Sequence, residues 1–212
     1  MVLEIGCGSG AYALHIAANV ACRIVGLDIN ASGIQNANEL ARARRLDGRA
    51  SFKQCDVSLK LAFERDSFHA VFANDVLCHI PTRSSLLEEM CRVLKPGGLM
   101  LFSDALVIGG MLSHEEIATR SSIGFYVFSP PGENERLIHR AGFSLITATD
   151  TTEAAASIAG RWHDARERYK VELIQAEGSK KFEGLQRFLQ CAHSLMKERR
   201  LLRFLYVARK ER

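Results

Sequence analysis

The sequence predicts a doubly wound α/β fold, and three observations carry the prediction. Short apolar runs alternate with helical patterns from the first residue onward. The runs end in glycine, or in an acidic or amide residue. Successive strands joined by helices through right-handed crossovers make a parallel sheet covered on both faces.

Taken in order, residues 2–5 form an apolar run that breaks at the glycines of "GCGSG", and residues 11–20 read as a helix. Residues 23–27 make a second run terminated by Asp28, followed by a helical pattern over 31–45 with Asn30 or Ser32 able to cap it. The third run, 50–54, ends at Cys55 and Asp56; the fourth, 69–73, ends at Asn74 and Asp75. A helix over 83–94 stops at "KPGG", and 99–103 is the fifth run.

Beyond this point the rhythm changes. A helical stretch at 114–120 precedes the irregular "FYVFSPPGEN", and a helix over 133–140 ends at Ala141 and Gly142. Residues 143–148 read as a sixth strand and "LLRFLYVARK" as a seventh, giving about seven strands in all. Between them, 152–177 and 180–200 are strongly helical and split by Gly178. The expected organisation is one domain, 1–212, with a helical insertion at 151–200 before the last strand.

Composition narrows the function. The 28 basic and 24 acidic residues among 212 leave a net charge of +4, too balanced to point to nucleic acid or a membrane surface, so a small-molecule partner is expected. Six cysteines without a C-x-x-C pair argue for a reducing compartment and no metal site. No apolar run approaches the length of a membrane span and no basic leader opens the chain, so a cytoplasmic location is expected.

The chemistry concentrates where strands end. Gly6, Gly8 and Gly10 follow a strand and open a helix, where bare backbone approaches a ligand and amide N–H groups lack partners. Asp28, at the tip of the next strand, is placed to accept from the two hydroxyls of a ribose. Gly6, Gly8 and Ala11 also satisfy a dinucleotide fingerprint, so these residues alone leave a nicotinamide-dependent oxidoreductase open. A non-catalytic cofactor-binding or interaction module is the third reading.

"LEIGCGSG", "GLDIN", "QCDV", "FHAVFANDVLCHIP" and "RVLKPGGLMLFSD", in this order and spacing, resemble the motifs of the S-adenosylmethionine-dependent methyltransferases of seven-stranded Rossmann-like fold. The resemblance covers nearly the whole chain. It implies a mostly parallel sheet with the last strand antiparallel, and S-adenosylmethionine as cofactor. Glu4, Gly6, Cys7, Gly8 and Gly10 would wrap its methionine and ribose part, Asp28 the ribose hydroxyls, and Ile29 the adenine face. Asp56 would accept from the adenine amine with Val57 beside it, and the Asn74 backbone would lie near the sulfonium. On this basis a methyltransferase acting on nitrogen or oxygen of a small molecule is expected.

His79 follows the fourth strand in "NDVLCHIP", and Asp75 four residues earlier can orient it on a helical turn. Histidine is suited to taking a proton from an amine or hydroxyl acceptor, and it equally suits a pocket wall. An aspartate and a histidine at this spacing resemble those of the phosphoethanolamine methyltransferases. Phe125 and Tyr126, in the aromatic stretch before two prolines, either cover an acceptor or plug the core. Trp162, His163 and Arg166 share one helix and either face the acceptor or form a packing seam. Members of the resembled family carry a leading segment that closes over the cofactor; with none matched here, weak cofactor binding and low turnover are expected of the chain as written.

Overall fold

The computed structural model describes residues 1–211. Seven strands form one mixed sheet in the order β3-β2-β1-β4-β5-β7-β6, mostly parallel with antiparallel strands near the end. They are β1 (Val2–Ile5), β2 (Ile24–Asp28), β3 (Ala50–Gln54), β4 (Phe68–Asn74), β5 (Leu94–Ile108), β6 (Phe143–Asp150) and β7 (Leu201–Lys210). The helices are α1 (Ala11–Asn19), α2 (Ala31–Ala43), α3 (Arg83–Val93), α4 (His114–Arg120), α5 (Glu133–Arg140), α6 (Thr152–Arg168), α7 (Lys170–Glu177) and α8 (Ser179–Lys197). Among the described residues no helix is long and apolar enough to cross a membrane.

The chain divides into two compact units. The first comprises residues 1–103, 132–148 and 205–211, and it carries β1 to β4, most of β5, β6 and β7, and α1, α2, α3 and α5. β1 lies between β2 and β4, both parallel to it, with Ile5 level with Leu27 and with Ala73. The chain order of the strands reverses here, so the residues just past these three strands emerge together at one edge, the place where ligands bind open α/β sheets. Beneath them Cys7, Leu14, Ile24, Ile34 and Phe52 form a buried cluster with α1 and α2. Phe102 stacks on Tyr206 at 4.9 Å elsewhere in the core.

Two features lengthen β5 beyond the expected 99–103. "KPGG" does not stop the strand: Phe68 pairs with Leu94 and Ala70 with Leu99, so residues 95–98 bulge out, with Gly97 at φ 75°. Asp104 reads as a terminus, yet it is fully buried because Oδ1 accepts from the Leu106 N–H and Oδ2 from the Ser129 hydroxyl.

The second unit comprises residues 104–131 and 149–204. Here α8 packs along α6, α7 and α4. Ser113 and Glu116 close a reciprocal capping box on α4. Arg120 lies 4.4 Å from the Phe188 ring and 5.6 Å from the Tyr126 ring, its charge facing two aromatic surfaces.

Candidate functional site

The loop after β1 is fastened from both sides. The Cys7 N–H donates to the Leu27 carbonyl at 2.9 Å, and the Gly10 N–H to the Cys7 carbonyl at 2.9 Å. Asp28 then latches the turn, with Oδ2 accepting from the Gly8 N–H at 2.7 Å and Oδ1 from the Asn30 N–H at 2.8 Å. A carboxylate has about four lone-pair sites, so each oxygen keeps one for a hydroxyl. Asp28 therefore shapes the loop, a role its position alone did not indicate.

The three glycines divide. A Cβ on Gly6 would sit 2.3 Å from Val76, and one on Gly10 would sit 2.7 Å from the Phe52 ring, so packing demands both. Gly8, at φ 53°, would meet nothing within 4 Å. Gly6 and Gly10 thus have a packing role whatever else their backbone does. The Cys7 side chain is buried in the core cluster beside Gly26, and burial pushes its thiol up to about 12.

Glu4 is 1% exposed at the end of β1. Desolvation, opposed by the Ala13 N–H and reinforced by the Asp28 charge, raises its carboxyl to about 8, and Oε2 has no hydrogen-bond partner among the described residues. Ile29 is exposed just beyond Asp28. Asp56 is exposed, and Oδ1 accepts from the Ser58 hydroxyl at 2.6 Å and N–H at 2.9 Å, which lowers its carboxyl below the usual range. Val57 beside it is buried.

At the end of β4 the Asn74 Oδ1 and Asp75 Oδ1 lie 2.9 and 2.8 Å from the Ser103 hydroxyl, which also accepts from the Asp75 N–H. The Asn74 amide donates to the Tyr12 hydroxyl at 3.3 Å. Ser103 and Tyr12 were not anticipated; Ser103 sits level with Asn74 on the neighbouring strand, which a register argument finds. Asp75 and His79 do not share an α-helical turn. Asp75 has φ 54°, Val76 packs on Gly6, and a 3-10 turn, Leu77–His79, follows and leaves His79 exposed.

The remaining candidates belong to the second unit. Phe125 is exposed and Tyr126 half-buried. Trp162 is exposed, and the His163 Nδ1 meets the Asp164 carboxylate at 3.2 Å. Arg166 pairs with Glu177 across α6 and α7 and lies 5.1 Å from the Phe182 ring, the arrangement of a packing seam.

A family model described as "Methyltransferase domain" matches residues 1–122, more than half of the chain. The chain belongs to the methyltransferase domain family. Its structure is that of the S-adenosylmethionine-dependent methyltransferases of Rossmann-like fold, and this decides against the nicotinamide reading. The chain is 30% identical over 158 residues to methyltransferase GfsG of Streptomyces halstedii, covering 72% of this chain and 55% of that protein. It is 39% identical over 98 residues to sterol 24-C-methyltransferase of Kluyveromyces lactis, covering 46% and 26%. It thus spans about half or less of these relatives. Phosphoethanolamine N-methyltransferase 2 of Haemonchus contortus, in complex with phosphomonomethylethanolamine and S-adenosylhomocysteine, superposes with a TM-score of 0.88 at 23% identity, covering 100% of this chain and 49% of that one.

The chain's own residues suit the cofactor. The buried, unsatisfied Glu4 oxygen suits a cation, the open space at Gly8 suits close approach, and the spare Asp28 lone pairs suit a diol.

Proposed function

We propose that this chain transfers a methyl group from S-adenosylmethionine to nitrogen or oxygen of a small molecule. What supports the reading most is the gathering of Glu4, Gly8, Asp28 and Asn74 at one sheet edge, each beyond the end of β1, β2 or β4 or in its last turn of chain. When bound, S-adenosylmethionine supplies a methyl group on a positively charged sulfur. Asp28 holds the loop closed while accepting from the ribose; Ile29 and Val57 offer apolar surface to the adenine and Asp56 accepts from its amine. Glu4, protonated up to about pH 8 in the unliganded fold, gives up its proton behind the loop as the cation arrives, and Asn74, fixed by Ser103 and Tyr12, presents its backbone. An in-line displacement gains most from such positioning, roughly 7–11 kcal/mol. His79, exposed beyond β4, takes the proton that an amine or hydroxyl acceptor must lose. Phe125, Tyr126 and His163 are the candidates for touching the acceptor, whereas Trp162, at 64% exposed, faces solvent. The six free cysteines support a reducing compartment, the cytoplasm.

The similarity to a sterol 24-C-methyltransferase favours a second reading, a carbon acceptor. Incubation with a methyl-labelled donor and a metabolite extract decides: the carbon-13 shift of the labelled methyl reports whether nitrogen, oxygen or carbon received it. An unlabelled extract, with S-adenosylhomocysteine still raising the melting midpoint, would leave a binding module.

Asp28→Ala removes the ribose acceptor and unlatches Gly8, so affinity for S-adenosylhomocysteine should fall at least about 100-fold, read as loss of the ligand-induced midpoint rise. His79→Gln should leave that rise intact and lower turnover about 100-fold. An unchanged rate retires His79 as the base.

A further inference from the structure

Net charge pointed away from a membrane, but charge on α6 is sorted rather than mixed. Ile158, Trp162 and Tyr169, spaced by four and seven residues, lie on one helical face and are 44%, 64% and 62% exposed. They form an apolar stripe about 16 Å long. Arg161 and Arg168 flank it, while Glu153, Asp164 and Glu167 occupy the other side of the helix. Glu167 is paired with Lys170 at 2.8 Å.

Beside Arg161, a groove of about 530 Å³ runs between α6 and α8. Arg161, His193, Lys197 and Arg199 line it, opposed by Glu153 and Asp164. Arg199 is held by Asp150 at 2.6 Å, and the His193 Nδ1–H donates to the Ala156 carbonyl at 2.8 Å. The His163 Nδ1 lies 3.2 Å from Asp164, and Arg161 and Lys197 have no ionic partner among the described residues. The apolar stripe and the groove's two unpaired cations thus meet at Arg161.

We propose that this face of α6 docks on an anionic phospholipid surface, the stripe entering the acyl boundary and Arg161, Lys197 and Arg168 meeting phosphate headgroups. A helix with aromatic and aliphatic residues on one face and arginine at its flank has the properties of an interfacial anchor. A soluble anion has no use for the stripe. A two-fold contact between copies brings this surface against itself, placing Arg161 and Arg168 near their own counterparts, where like charges repel.

Trp162 is the single tryptophan of the chain, so its fluorescence reports on the stripe alone. With phosphatidylcholine vesicles containing phosphatidylserine, the emission should move to the blue and the protein should sediment with the lipid. Phosphatidylcholine alone should do neither. Arg161→Glu and Lys197→Glu should each weaken sedimentation at least about fivefold, and Ile158→Asp should abolish it, with melting midpoints unchanged because all three side chains are exposed. The test needs no methyl transfer, so it stands or falls apart from that activity. No blue shift on anionic vesicles overturns the proposal. So does an equal shift on neutral vesicles, a shift produced by glycerophosphoserine without tails, or one that grows with protein concentration in the absence of lipid.

Discussion

Glu4→Gln should flatten the fall in stability of the unliganded protein between about pH 5 and about pH 8. In the folded chain the carboxyl keeps its proton up to about 8, against 4.5 ordinarily, because burial outweighs the Ala13 N–H and the Asp28 charge adds to it. The unfolded chain releases that proton near 4.5. Across the interval the folded state therefore holds more protons, and stability falls as pH rises. The contribution is fully present below the unfolded value and lost once pH passes the folded one, on the order of 5 kcal/mol in all. Glutamine keeps an acceptor for the Ala13 N–H and has no proton to lose. Urea unfolding of both proteins over this pH range checks it, and the difference between them cancels every other titrating group. The same linkage reaches the ligand: a cation near Glu4 draws its proton off, so wild-type affinity for S-adenosylmethionine should tighten as pH rises toward 8 while the variant's stays flat. Parallel stability curves for the two proteins would mean that Glu4 is ionised in the unliganded fold.

How much of this was legible in the sequence depended on whether the signal was local. Asn30 reads as a cap from its place before an amphipathic run, and its side chain accepts from the Gly33 N–H. The helix at 133–140 and the strand "LLRFLYVARK" are found with the expected bounds. What failed was long-range. Asp104 looks like a strand end until Ser129, distant in the chain, supplies a buried partner. The helix expected over 152–177 breaks at Tyr169, at φ −104° and ψ 27°, with no glycine or proline to announce it. For Arg166 the sequence left acceptor contact and packing seam both open, because its partner, Glu177, lies beyond that break. In the candidate site, the strand-end residues Glu4, Asp28 and Asn74 were visible because the fold puts strand ends at the ligand edge. The charge state of Glu4 and the latch from Asp28 to Gly8 were not, since both depend on what surrounds a side chain.

Three glycines in one motif invite one explanation, and substitution should separate two. Gly10→Ala places a side chain at φ 78° and a Cβ 2.7 Å from the Phe52 ring and 3.0 Å from Ala37, both in the buried cluster. Left-handed strain of about 1 kcal/mol and overpacking of about 1–3 kcal/mol together should lower stability by roughly 2–4 kcal/mol. The folded fraction should still bind S-adenosylhomocysteine with wild-type affinity, since neither added contact touches Asp28. Gly8→Ala meets only the strain, about 1 kcal/mol, because its Cβ points into open space. That space is where the ligand would come, so there affinity should fall while the melting midpoint stays close to wild type. Denaturant unfolding and ligand titration of both variants provide the cross. A Gly8→Ala protein that binds normally would leave the open side of the loop without a ligand role, and the whole motif would then be explained by the packing of Gly6 on Val76 and of Gly10 on Phe52 and Ala37, with Asp28 as its latch.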